Sequence, residues 1–496
     1  MTYDLLIIGG GINGTAIARD AAGRGLKVLL CERDDLANHT SSSSTKLIHG
    51  GLRYLEYYEF RLVREALIER EVLLNAAPHI IWPMRFVLPH DKGLRPAWLL
   101  RAGLFLYDSL GGRKKLPGTK TVNLRKAPFK GILENRLSKG FEYSDCWVED
   151  ARLVVLNAVD AANRGADIRT RTEVVSVKTG KAGYEAKIRQ NGKLKTIKAK
   201  AIVNSAGPWV DEVLGKIKRT TNEQSLRLVK GSHIVTKKCF EGDFAFIFQN
   251  ADNRIIFVIP YEQDYTLIGT TDVPYNPSEG EVKISQDEID YLCNAASEYF
   301  EKDITPKDVT WTYSGVRPLY DDKSADASAV TRDYVLDIEE FTKNAPFLSI
   351  YGGKITTSRK LAEHAMEKLS GFLGLDKTGW TESAVLPGGD MEGADFDKFF
   401  AQMQSRYSSV PRNVLRRLCR AYGTRITLIL GDGKTKPDLG KDFGQGLYEA
   451  EVRYLTAHEW ATQAEDILWR RTKLGVHMTD KQKRAFKTWF NKAKFA

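Results

Sequence analysis

A small set of residues carries the chemistry this sequence can offer. His233, in Lys230-Gly231-Ser232-His233, follows a flexible glycine-serine approach. An imidazole with an ordinary pKa of about 6.5 can take a proton from an alcohol near neutral pH. His49, in Ile48-His49-Gly50-Gly51, is the competing base, or instead orients a cofactor ring. Arg53, Arg317 and Arg332 lie in three separate segments, and a guanidinium fork recognises phosphate through paired hydrogen bonds. The bland alternatives are a satisfied structural histidine and arginines that pack or face solvent. Asp272 and Asp333 either orient an arginine or cap a turn.

The N-terminal glycines are spaced for a pyrophosphate. Gly9-x-Gly11-x-x-Gly14 follows the apolar run Leu5 to Ile8 and opens a helical stretch. Gly9 permits the sharp turn, Gly11 lets backbone N–H groups approach phosphate, and Gly14 lets helix and strand pack closely. Gly9, Gly11, Ile12, Asn13 and Gly14 are therefore the candidate phosphate contacts. Glu32 ends the second strand eighteen residues past Gly14, where a carboxylate can accept from ribose hydroxyls and repel a 2′-phosphate. This disfavours NADP but does not choose between FAD and NAD. Two later segments favour FAD. Val203 to Trp209, with Ala206 and Gly207 as contacts, resembles the strand-then-turn segment of the flavoprotein family that includes D-amino-acid oxidase. Gly352-Gly353-Lys354-Ile355-Thr356-Thr357 follows a strand and opens a helix from Ser358. N–H groups around Gly353, Lys354 and Thr356 could face the electron-rich edge of an isoalloxazine and stabilise its anionic reduced form.

Around these residues the chain must supply more than one core, because 496 residues imply two or three domains. Leu5 to Ile8, a helix over Thr15 to Arg24 and a strand over Lys27 to Cys31 form a βαβ unit. Short buried strands recur at Ala201 to Val203, Ile255 to Ile259 and Phe347 to Tyr351. Arg227 to Asp272 has the strand-rich pattern of an antiparallel sheet. A composition change at Leu386 to Asp390 marks a boundary, beyond which the chain is mostly helix-forming. Across Gly446 to Arg471 the expected core positions are Leu447, Val452, Leu455, Trp460 and Ile467. The five cysteines are scattered without a CxxC pair, which suits a reducing compartment and argues against a metal site or disulfide framework.

Several segments coincide with one family: Ser41 to Leu55, Lys230 to Val235, Ile268 to Asp272, Tyr313 to Leu319, Thr331 to Tyr334 and Asp466 to Gly475. From Tyr3 to about Gly475 the chain closely resembles the aerobic, FAD-dependent glycerol-3-phosphate dehydrogenases of bacteria. The resemblance implies an α/β architecture: a Rossmann-type FAD-binding domain, an antiparallel β-sheet substrate cap and an all-helical C-terminal domain. The expected divisions are 1–75, 145–225 and 330–385 for FAD, 76–144 and 226–329 for the cap and membrane-facing region, and 386–496 for the helices. It implies oxidation of sn-glycerol 3-phosphate to dihydroxyacetone phosphate, the C2 hydride going to flavin N5 and the electrons on to membrane quinone, in a homodimer. It further implies that Arg53, Tyr54, Arg317, Arg332 and Lys354 converge on the substrate, with Arg317 also in the catalytic set alongside His233 and His49. Ser42 and Thr45 join the cofactor contacts.

Net charge is +11, which favours anionic partners. Between Ile81 and Lys130 there are eleven Lys/Arg against Asp91 and Asp108, interleaved with aromatics. The segment from Pro96 reads as a short helix whose polar stripe, Ala97, Arg101 and Asp108, is narrow. Trp98, Leu99, Leu100, Leu104, Phe105, Leu106 and Leu110 cover the rest. Too short to span a bilayer and flanked by basic residues, it matches a helix embedded in one leaflet of an anionic membrane; the competing reading is a buried core helix. With no leader pattern at the N-terminus, the expected location is the cytoplasm, on the inner face of the membrane. Other readings are an oxidase passing electrons to O2, an FAD-containing RNA-binding protein and a non-catalytic membrane scaffold. Only charge supports RNA, and no nucleic-acid partner is expected.

Overall fold

The N-terminal apolar run becomes the central strand Thr2–Ile8 of an eight-stranded sheet in the computed structural model, which describes residues 2–91, 95–112, 114–181, 183–217, 226–250, 252, 254–320, 333–376, 378–433 and 437–493. This strand pairs in parallel with Val28–Cys31 and with the second half of Lys193–Asn204, placing Ile7 opposite Leu30 and Val203. Asp167–Arg169 and Ala345–Tyr351 extend the parallel set, and Val335–Thr342 closes one edge antiparallel. Leu5 and Ile7 enter a core with helices Ile12–Gly23, Asp150–Asn163 and Ser358–Leu373. Leu6 and Ile8 meet the hairpin Thr172–Gly180 and Gly183–Gln190 on the other face. A strand covered on both faces must be apolar throughout, which is why it reads as a continuous run.

The second sheet has ten strands drawn from two separate stretches of chain, Leu47–Val148 and Leu226–Tyr320. The long pair Leu226–Lys237 and Val309–Tyr320 places His233 opposite Tyr313 and Gly231 opposite Gly315. The sheet is antiparallel except where Phe244–Gln249 runs parallel to Ile81–His90. One face packs on the helix Gln286–Ser297, whose capping box at Ser285 and Glu288 fixes its start.

The C-terminal helices Phe396–Arg406, Arg412–Tyr422, Glu449–His458 and Asp480–Lys492 enclose their own core. Leu447, Val452, Leu455 and Ile467 are buried in it. Trp460 is not: it takes a left-handed φ of 54°, interrupts the expected helix and packs, half-buried, against the core of the first sheet. A π-helical turn, Asp466–Arg471, follows.

Candidate active site

The glycine turn is shaped by what it excludes. Gly9 has φ +110°, and a Cβ there would lie 2.6 Å from the Ser205 carbonyl oxygen; a Cβ on Gly14 would lie 2.0 Å from that of Gly9. Glu32 is fixed beside the turn, accepting from the Gly10 N–H at 2.6 Å and the Asp34 N–H at 2.7 Å. Burial pushes its carboxyl up, and each oxygen keeps a lone pair for a ribose hydroxyl. From Glu32 and Val174 a cleft of about 1000 Å³ runs past Gly9, Gly11, Ile12 and Asn13 and past Ala206 and Gly207 to Gly352 and Gly353. Asn13 links the two glycine segments by donating to the Gly352 carbonyl at 3.1 Å, while its own Oδ1 is buried without a hydrogen-bond partner. An elongated cleft floored by glycines, with an orphaned amide oxygen midway and a carboxylate at one end, fits FAD.

At the flavin end the cap sheet presents one face built around three glycines. A Cβ on Gly231 would meet the Arg317 guanidinium at 2.4 Å, one on Gly269 the His233 ring at 2.2 Å, and one on Gly315 the Ser43 side chain at 2.8 Å. Their absence lets Arg317 and His233 lie flat on the sheet and lets the turn Ser41 to Thr45 rest on it. His233 is 1% exposed, stacks on Tyr313 with ring centroids 4.7 Å apart, and places Nε2 3.0 Å from Thr45 Oγ1. Its Nδ1 is buried with no hydrogen-bond partner. Burial, then the charges of Lys46 and Arg317, hold its pKa well below the ordinary 6.5 the sequence reading used. Arg317 pairs with Asp272 and donates to Thr270 Oγ1 at 3.0 Å, so Asp272 orients an arginine.

Other expected site residues take more varied places. His49 is half-buried, its N–H bonding Thr356 Oγ1 at 3.3 Å and its ring meeting the edge of Phe257. Lys354 Nζ lies 4.0 Å over the Tyr54 ring, bringing those two together. Arg53 turns toward Tyr57, donating to its hydroxyl at 3.3 Å. Ser42 Oγ donates to the His39 carbonyl, whereas Ser41 Oγ accepts from the Ile12 N–H at 3.0 Å and faces the cleft. Thr45 bonds His233, as described. Asp333 pairs with Arg61 at 2.8 Å, and Arg332 lies outside the described residues.

Sequence reasoning passed over the charges beneath the Ser41–Thr45 turn. Lys46 is 1% exposed and donates to Asp150 at 2.8 Å, and Lys473, from the C-terminal domain, donates to the same carboxylate at 3.1 Å. Their only signal was that Lys46 and Lys473 fall within two of the family-like segments, Ser41 to Leu55 and Asp466 to Gly475. Among the described residues no cluster suits a metal ion, and no helix is long and apolar enough to cross a membrane.

Fold and cleft together define an FAD-dependent oxidoreductase. A family model for FAD dependent oxidoreductases matches residues 4–359, one for the C-terminal domain of alpha-glycerophosphate oxidase matches residues 380–491, and the chain belongs to this FAD-dependent oxidoreductase family. It is 54% identical to a D-erythritol 1-phosphate dehydrogenase of Brucella abortus, covering 99% of this chain and 98% of that one. It is 49% identical to the aerobic glycerol-3-phosphate dehydrogenase of Escherichia coli, covering 98% and 97%. The solved glycerol-3-phosphate dehydrogenase of Bacillus halodurans, complexed with FAD, superposes with a TM-score of 0.76 at 26% identity over 99% of this chain and 94% of that one. The resemblance and the cofactor read from the sequence are thereby borne out.

Proposed function

We propose that this chain oxidises the C2 hydroxyl of sn-glycerol 3-phosphate, giving dihydroxyacetone phosphate, while bound to an anionic membrane surface. The observation that supports this best is the cap-sheet face on which Arg317 and His233 lie side by side over three glycines, next to Pro318, which with Gly352 and Gly353 lines the end of the cleft. The alcohol must lose one proton and one hydride. FAD, when bound, supplies the two-electron acceptor. Arg317 and Lys354, with Arg332 by resemblance, hold the phosphate dianion, and Tyr54 positions Lys354. His233 takes the hydroxyl proton through Thr45, the half-buried hydroxyl on its Nε2 side. A bound dianion would raise the imidazole pKa toward the working range.

The membrane reading is supported by the helix Ala97–Leu110. Its Trp98 is 72% exposed and its Phe105 66%, and Tyr58 nearby is 78% exposed. Polar Arg101 and Asp108 turn inward to Thr119, and Leu104 and Tyr107 are buried, so the helix offers solvent its apolar side. A lipid-soluble acceptor, membrane quinone, then takes the electrons, and the assembly is a homodimer at the inner face of the cytoplasmic membrane.

A second substrate is favoured by one finding, the 54% identity to the D-erythritol 1-phosphate dehydrogenase. Anaerobic addition of each phosphate to the purified flavoprotein decides between them. Bleaching of the oxidised-flavin band by glycerol 3-phosphate at the greater kcat/KM supports the reading above. Preference for D-erythritol 1-phosphate replaces the substrate, and no bleaching by either overturns it. Peroxide release without quinone would make the protein an oxidase.

A further inference from the structure

The segment Asp466–Lys473 takes no part in the reaction as described, yet its cations reach the walls of the active site. Arg471 is 2% exposed and grips Asp35 through two 2.8 Å bonds, and Arg470 adds a third to the same carboxylate at 2.6 Å. Asp35 lies three residues past Glu32, and Ala37 beyond it donates to the Gly10 carbonyl at 3.2 Å, so this end braces the glycine turn. Two residues further on, Lys473 has φ 58° and drives Nζ to 3.1 Å from Asp150 Oδ1. The other oxygen, Oδ2, accepts from Lys46 Nζ and from the Ser44 hydroxyl, both at 2.8 Å. Lys46 also donates to the Ser42 carbonyl at 3.0 Å, and Tyr313, stacked on His233, donates to the Ser44 carbonyl at 2.8 Å.

One buried carboxylate thus sits between two buried ammonium groups, directly beneath the turn that carries Thr45. Side-chain exposures are 0% for Asp150, 1% for Lys46 and 7% for Lys473. Apolar residues of the same volume would give at least as much stability, so such a triad is better explained by geometry it specifies. Burial lowers the Lys46 ammonium to about 8, while Asp150 and its acidic neighbours outweigh burial and hold Lys473 well above 10.5.

We propose that Lys473, delivered across the domain junction, is a positioning residue for the oxidation: through Asp150 it fixes the Ser42–Lys46 turn, and with it Thr45 against His233. This rests on the reading of His233 as the base. The C-terminal domain then completes the active site of the same chain.

The test compares holoenzyme with Lys473→Met, Lys473→Arg and Ser44→Ala, measuring anaerobic flavin reduction by sn-glycerol 3-phosphate, FAD content and hydrogen–deuterium exchange over residues 40–48. Lys473→Met should reduce about 10- to 100-fold more slowly, as a misplacement of about 1 Å predicts. Half-saturation should stay near native and exchange over 40–48 should rise, with Lys473→Arg restoring most of the rate. Native reduction per bound FAD in Lys473→Met would overturn the inference. If that variant fails to fold or to retain FAD, Ser44→Ala, which cuts the same link at the turn, should show the slowing, and a native rate there overturns it. Should the native flavin not be bleached by glycerol 3-phosphate, the substrate reading fails. Exchange in Lys473→Met or Ser44→Ala then decides the inference: a rise over 40–48 sustains it and no change ends it.

Discussion

His233 lies where an imidazole has little reason to be charged. It is almost wholly enclosed, and the nearest strong charges are the cations Lys46 and Arg317, with Asp150 opposing them. A base must be neutral before it can accept, and a pKa held well below 6.5 leaves it neutral across the physiological range. The kcat/KM for flavin reduction, which reports the substrate-free enzyme, should therefore be flat in this group between about pH 6.5 and 8 and fall only on the acid side. The same shift carries a stability consequence: the unfolded imidazole binds the proton more readily, so its contribution is present above 6.5 and is lost as pH falls below it. His233→Ala should slow flavin reduction by about 10²- to 10⁴-fold with FAD still bound. His49→Ala showing that loss instead, with His233→Ala near native, would move the role to His49. Arg317 makes a different argument. Its fork is shared between Asp272 and Thr270 before substrate arrives, and Lys in its place keeps the charge but loses the paired geometry. A charge-assisted bond contributes about 1.5–3 kcal/mol, so Arg317→Lys should raise KM roughly 10- to 100-fold. A KM within twofold of native would remove Arg317 from the phosphate site.

At the scale of elements, the helix Ala97–Leu110 shows what a one-dimensional pattern can and cannot carry. Its existence was legible because 14 residues at helical spacing between Pro96 and Gly111 leave little choice. Which side faced the protein was not legible, because a helix apolar almost all round does not say what covers it. The polar stripe proves to be docked, with Arg101 and Asp108 bonding Thr119, and Tyr107 reaches in to accept from the Gly50 N–H and donate to Asp145. The same contrast separates the glycine turn from the charges below it. Gly9 and Gly14 were legible because a left-handed φ at the one and a backbone contact five residues away at the other demand glycine, whereas the Asp150 triad joins residues 104 and 323 positions apart, which no local spacing encodes. Exposure now divides the helix for experiment. Phe105→Asp removes an apolar side chain whose burial in lipid gives about 1.5–3 kcal/mol, so affinity for anionic liposomes should drop at least 10-fold with the fold intact. Leu104→Asp, at 1% exposure, should instead destabilise the protein itself. Unchanged liposome binding by soluble, active Phe105→Asp would take the helix out of the membrane reading.

For the whole molecule, the junction between the flavin-binding sheet and the C-terminal helices holds three buried ionic clusters beside the apolar contact of Trp460. Asp35 meets Arg470 and Arg471, Glu459 meets Arg152, and Asp150 meets Lys46 and Lys473, each carboxylate with a side-chain exposure of 0%. Burial alone would raise all three carboxyls, but the cations outweigh it and hold them below their ordinary values of 3.8 and 4.5. The sign of the linkage follows. Groups with depressed folded pKa values contribute stability that is fully present above the ordinary values and is lost as pH falls through the folded ones. The junction should therefore hold at neutral pH and loosen in acid, and its loosening should be felt by the cofactor, because Asp35 braces the loop that follows Glu32. Heating holoenzyme while following the rise of released-FAD fluorescence reads this directly. Release should move to lower temperature as pH is taken below about 4.5. Asp35→Asn should reproduce early release at pH 7, since it removes the carboxylate that Arg470 and Arg471 both grip and leaves Arg471 only the more distant Glu459, 3.9 Å away, at a cost of up to about 3–5 kcal/mol. It should also flatten the acid dependence that remains. Native release temperature in Asp35→Asn at pH 7 would mean that the cofactor site does not depend on the junction. The helical domain would then be an attachment to the enzyme rather than a wall of its active site.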